Sequence, residues 1–196
     1  MKTRVALALV PAMLLSACGL NSVPTAEEAA KAKWADVQAA YQRRADLIPN
    51  LVATVKGAAG SEGKILTDVT SARARATSVQ LAPGDLSDAA KVQAYQTAQN
   101  QLGGSLSRLL VSVEAYPQLQ SQVAFRTLQD QIEGSENRIN IALRDYNAAV
   151  QAYNTRIRTF PDSIGASVFY GAKPLQPFQA KAGSDVAPTV DFGNSN

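Results

Sequence analysis

The stretch Phe125-Arg-Thr-Leu128-Gln-Asp-Gln-Ile132-Glu-Gly-Ser135-Glu-Asn-Arg-Ile139-Asn-Ile-Ala142-Leu-Arg-Asp-Tyr146-Asn-Ala-Ala149-Val-Gln-Ala-Tyr153-Asn-Thr-Arg-Ile157-Arg-Thr-Phe160 decides the fold. Its numbered positions keep spacings of three and four for five heptads. Such a seam belongs to one long helix packed lengthwise on others, at a crossing of roughly 20°. A 40-residue helix of this kind would be roughly 60 Å long.

The same period continues towards the N-terminus. Val92, Tyr95, Gln99, Leu102, Leu106, Leu109, Val113 and Tyr116 form one stripe, weakened at Gly103-Gly104 and stopped or bent at Pro117. Ala82-Pro83-Gly84-Asp85 reads as a loop, and Asp85 or Ser87 is placed to cap the helix after it. Ile65, Val69, Ala72, Ala76 and Val79 define a further helix, entered through Gly57, Gly60 and Gly63. The first helix carries Trp34, Val37, Tyr41, Ala45, Ile48, Val52 and Val55, with Thr25-x-x-Glu28 as a capping box and a kink expected near Ala45–Pro49. No stretch alternates as a strand. The expectation is therefore all-α: an elongated antiparallel up-and-down bundle of about four long helices over 25–161.

The two ends differ from this middle. Lys2 and Arg4, the apolar run Val5–Leu15 and Leu15-Ser16-Ala17-Cys18 have the order of an export signal ending in a lipobox. The run spans roughly 16 Å as a helix, about half of a hydrocarbon core of roughly 30 Å. Residues 1–17 then read as a cleaved signal peptide, 18–24 as a tether, and Cys18 as the lipid attachment site. The alternative is an ordinary signal peptide that ends near a cysteine. The chain has one cysteine, which could not pair within it in an oxidising compartment. The place expected is the cell envelope, on the extracytoplasmic side. In a host with two membranes, Gly19 lacks the aspartate-type signal for retention at the inner one and favours the periplasmic face of the outer. Residues 162–196 read as one short helix, about Ser163–Phe169, and a Pro/Gly-rich flexible tail on which Phe178 or Phe192 could dock.

Composition narrows the chemistry. Removing Lys2 and Arg4 from the 19 basic residues leaves 17, against 16 acidic ones. Charges of both signs alternate, and no basic stripe carries interleaved aromatics, so nucleic acid is not an expected partner. There is no histidine. That removes the commonest general base and metal ligand, and with Cys18 lipidated no thiol nucleophile remains. Glu133-x-x-Glu136 and Asp130-x-x-Glu133 place carboxylates on one helix face without imidazole partners, which reads as a solvated face. No catalytic, metal or cofactor residue is expected.

Arg44, Glu114 and Arg138 have no opposite charge three or four residues away, and each sits one residue from an apolar stripe. They read either as interhelical pairs fixing register, with Asp46 and Asn50 nearby, or as plain surface or partner-facing charges. Asn140, Asn147 and Asn154 recur every seven residues beside Tyr146 and Tyr153. That stripe suits either a partner helix or polar groups at the bundle's edge.

Several stretches together resemble the LemA family of bacterial membrane-anchored proteins: Tyr41-Gln-Arg-Arg-Ala-Asp-Leu-Ile-Pro-Asn-Leu-Val52 with Thr54-Val-Lys-Gly57, Thr70-Ser-Ala-Arg-Ala74, Glu114-Ala-Tyr-Pro117, Glu136-Asn137-Arg138-Ile139, Tyr146-Asn147, Tyr153-Asn-Thr155, Phe160-Pro161 and Ala187-Pro-Thr-Val-Asp-Phe192. The resemblance implies a helical bundle beside a membrane with no known enzymatic activity, in a family linked to membrane-protein quality control or to organising membrane-bound assemblies. A lipobox stands where many relatives have a longer transmembrane anchor. The function expected is a non-catalytic, membrane-anchored scaffold or adaptor for envelope proteins, with self-association open. The alternative is a binding module for an envelope lipid or glycan.

Overall fold

The computed structural model describes residues 21–59, 63–113 and 115–179, and among these every regular element is helical. Four long helices make the bundle: α1 (Ser22–Ala59), α2 (Gly63–Ser78), α3 (Ala89–Val113) and α5 (Val123–Arg156). A 3-10 turn at Pro83–Asp85, a one-turn α4 (Pro117–Gln120) and a short α6 (Asp162–Val168) complete the order. Each long helix runs antiparallel to the one before it. Arg73 of α2 meets Ala45 of α1, and Gln99 of α3 meets Ala76 of α2. α5 returns along α1, with Glu136 at Arg44 and Asp145 at Lys33. The α1–α5 pairing is the most extensive in the molecule, whereas the backbones of α3 and α5 scarcely approach one another.

Several boundaries differ from the sequence reading. α1 begins at Ser22 with Val23 already buried, so residues 22–24 belong to the fold and not to a tether. Thr25 does not cap: its hydroxyl donates back to the carbonyl of Asn21. α3 is capped by Asp88, whose carboxylate accepts from the N–H groups of Ala90 and Lys91, in place of Asp85 or Ser87. α5 stops at Arg156, so Phe160, expected to finish the apolar seam, is 81% exposed. Pro117 starts the one-turn α4, the position where a missing N–H costs nothing. Cys18, Glu114 and Phe192 lie outside the described residues.

Pro49 does not end α1. A proline has no N–H for the carbonyl four residues back, here Ala45, and α2 supplies the missing donor: Arg73 Nε donates to the Ala45 oxygen at 2.8 Å. Arg73 is therefore coupled physically to Pro49 across the first hairpin. Arg73→Ala is expected to cost about 1–2 kcal/mol in urea unfolding, because it strands a part-buried carbonyl. In a Pro49→Ala background, where the helix regains its own donor, the same substitution should cost much less. An equal cost in both backgrounds would show that Arg73 does not stand in for the proline.

A polar layer and an amide-lined seam

The core consists of two apolar clusters stacked along the bundle. One gathers Trp34, Val37 and Tyr41 with Tyr95, Ile139, Tyr146 and Tyr153. The other gathers Ile48, Leu51 and Val55 with Leu102, Leu106, Leu109, Phe125 and Ile132. Arg44 lies between them, 3% exposed. Its Nη1 donates to Glu136 Oε1 at 2.8 Å, and its Nη2 donates to the Gln99 side-chain and main-chain oxygens at 2.9 and 3.1 Å. Gln99 in turn donates to the Ala76 carbonyl at 3.1 Å. One guanidinium thus ties α1, α3 and α5 together, and α2 joins through Gln99. The guanidinium also lies over the Tyr41 ring at 5.1 Å, while its Nε has no hydrogen-bond partner among the described residues.

Above this layer the chain closes its own seam. Residues 171–179 follow α6 without regular secondary structure and run back over the bundle, so the tail, expected to be flexible with Phe178 or Phe192 able to dock, is part of the core as far as residue 179, with Phe178 docked. Leu175 and Phe178 are buried. Phe178 stacks on Trp34 at 5.6 Å and meets Tyr95 and Tyr146 edge-on. Burial pushes the Tyr95 phenol up to about 12 and raises those of Tyr41 and Tyr146, so all three stay neutral in this box.

Two asparagines of the seven-residue stripe hold the strap by its backbone. Asn154 Nδ2 donates to the Leu175 carbonyl while Oδ1 accepts the Leu175 N–H, at 2.8 and 2.9 Å. Asn147 makes the same pair with Phe178, both at 2.9 Å. Gln96 of α3 grips Gln179 in the same two-way manner. The spacings match: seven helical residues rise roughly 10.5 Å, and three extended residues span roughly 10 Å.

Below the strap the same α3–α5 seam is open. A groove of ≈ 550 Å³ runs between the helices, with Arg44 in its floor, Asn100, Gly103 and Gly104 on one wall and Glu136, Asn137 and Asn140 on the other. Asn140 is the third rung of the stripe, and its side chain makes no hydrogen bond among the described residues.

The residues singled out from the sequence divide accordingly. Arg44 is at the centre of the layer, and its carboxylate partner is Glu136, which spacing alone grouped with the solvated face. Asn137 lines the groove. Asp46 is exposed and accepts from Gln42 on its own helix, and Asn50 is exposed on the outside of α1. Arg138 is exposed and makes no ion pair among the described residues, so the cross-helix pairing expected of it is absent there. Gln99 stood in the apolar stripe of α3 as a lone amide, a signal of a buried polar contact whose partner the sequence did not specify. Among the described residues no group of three acidic, histidine or cysteine side chains is arranged to hold a metal ion.

An antiparallel helical bundle with a buried polar layer and a strapped C-terminal segment is the class these features define. The LemA family model matches residues 33–192, and the chain belongs to that family. Curated relatives include the magnetosome proteins MamQ 1 and MamQ 2 of Paramagnetospirillum magneticum, each 28% identical over 183 residues, covering 84% of this chain. MamQ of Magnetospirillum gryphiswaldense is 27% identical over the same length. The chain spans 66% of the length of these relatives, just under two thirds.

Arg44→Ala is expected to lower stability by about 3 kcal/mol, since it strands the Gln99 oxygens and removes the link between three helices. Arg138→Glu should leave the urea midpoint unchanged. Equal effects from the two substitutions would mean that the layer does not hold the bundle together.

Proposed function

We propose that this protein is a non-catalytic, membrane-anchored scaffold of the cell envelope, which docks an extended segment of a partner protein in the α3–α5 groove. The observation that carries this reading is the stripe of Asn154, Asn147 and Asn140. Its first two rungs read the backbone of an extended strand, and its third faces an open groove. Side-chain amides that satisfy both the N–H and the C=O of a residue recognise any extended polypeptide, as sheet edges do in strand addition. Membership of the LemA family and likeness to proteins named for the magnetosome support a place at a membrane.

The competing ligand classes fit less well. An anionic lipid headgroup would find the Arg44 guanidinium already engaged, with Glu133 and Glu136 at the rim repelling it. A catalytic role would have to run without histidine.

The anchor belongs to the same proposal. Cys18, lipidated after removal of residues 1–17, holds the chain on the extracytoplasmic side of a membrane. Multiple acyl chains, at roughly 0.8 kcal/mol per buried methylene, give stable attachment where a single chain does not. Among the described residues no helix is long and apolar enough to cross a membrane.

Two experiments test the proposal. A photoreactive amino acid in place of Asn137 should cross-link one envelope protein through a mappable extended peptide. Gly104→Leu should abolish that product without unfolding the bundle, because a Cβ at Gly104 meets no neighbouring atom within 4 Å and the side chain has the groove to enter. A product formed only with residues 180–196 of the same chain would overturn docking in trans. Separately, Cys18→Ala should abolish palmitate labelling and membrane retention together. Retention without the cysteine would mean that Val5–Leu15 is an uncleaved anchor.

A further inference from the structure

Large apolar side chains are left outside the core at one end of the bundle. Phe160 is 81% exposed, Val168 69%, Phe169 67%, Ile164 54% and Tyr170 44%. They fall within eleven consecutive residues, around the short α6. Ile164 and Val168, four apart, share the outer face of α6, while Gly165 and Ala166 pack inward. Among the described residues, the far end of the bundle offers single exposed valines, Val111 and Val123. Isolated apolar residues on a surface need no explanation, but five within eleven residues do.

The position of this run is fixed by the core beneath it. Ala166 is buried in the same cluster as Val23, with Ile157 packed against it. The patch therefore sits beside the start of α1, the end where residues 1–20 enter the structure. Those residues include Cys18, the proposed lipid attachment site. Arg158 and Lys173 flank the patch, both exposed. Aromatic and aliphatic side chains edged by cations have the composition of a surface that rests in the headgroup layer of an anionic bilayer.

We infer that Phe160, Ile164, Val168, Phe169 and Tyr170 form a membrane-contact surface. With the N-terminal attachment beside it, this surface makes a second point of hold on the bilayer. The patch lies on lipid, α1 and α5 carry the bundle away from it, and the α3–α5 groove stands off the surface. The inference deepens the anchored reading above and rests on it.

The test uses the full chain reconstituted into vesicles of phosphatidylethanolamine and phosphatidylglycerol that carry nitroxide-labelled lipid. A fluorescent amino acid replaces Phe169, or Val111 as the far-end control. Vesicle flotation reads attachment, and quenching reads contact. The chain should float in both cases, with quenching several-fold stronger at position 169 than at 111. Arg158→Glu with Lys173→Glu should reduce the quenching at 169 and leave flotation unchanged. Flotation with equally weak quenching at both positions overturns the patch and spares the anchor. Failure to float overturns both. Cross-linking between copies through position 169, in place of lipid contact, would make the patch a self-association surface and overturn the inference.

Discussion

The Arg44 guanidinium is the contact on which the rest of the bundle depends. A cation removed from water in a helical core is costly unless its hydrogens are taken. Here Glu136 takes one edge and Gln99 the other, and Gln99 passes the connection on to α2. That requirement is directional, unlike the apolar clusters on either side. Leucines and valines at heptad positions would pack nearly as well after a shift of one turn. Such a shift would move Glu136 roughly 5 Å away from Arg44 and leave a buried charge unpaired. The polar layer therefore fixes how far α1, α3 and α5 slide along one another.

This register has consequences on both sides. It places Trp34, Tyr95 and Tyr146 at one level, where they make the box that receives Phe178. It also places Asn147 and Asn154 opposite the path of the returning chain. The strap then fills the upper half of a seam that α3 and α5 do not close themselves. Below the layer two glycines on α3 leave the seam open, although each costs helix stability of roughly 1 kcal/mol relative to alanine. The helix accepts glycine there without any positive φ or tight contact that would demand it.

The same economy of donors appears at Pro49. A proline within a helix removes one hydrogen bond, and Arg73 restores it from the neighbouring helix. Arg44 and Arg73 thus both work as hydrogen-bond donors to groups that the helices leave unsatisfied. Their planar, permanently charged forks suit that task better than an ammonium would. An end of the bundle with exposed aromatics, an end without them and a groove along the side give the molecule a direction. That direction suits the membrane scaffold proposed above.

The sequence by itself determined the helices and their antiparallel order. Periodicity of three and four is a local consequence of 3.6 residues per turn and needs no knowledge of the partner helix. It also marked Arg44 and the asparagine stripe, because a charge or amide beside an apolar seam is visible in one dimension. Only the tertiary structure decided their partners. Glu136 lies 92 residues from Arg44 and Leu175 lies 21 from Asn154, and no spacing rule links such positions. The tail was read only in part for the same reason: Phe178 stood out as able to dock, but its site did not. Pro, Gly and Gln between Gly171 and Gln179 cannot form a core of their own, and composition alone left them outside it. They order because Asn147, Asn154 and Gln96 satisfy their backbone, and because one phenylalanine completes an aromatic box built by three distant helices.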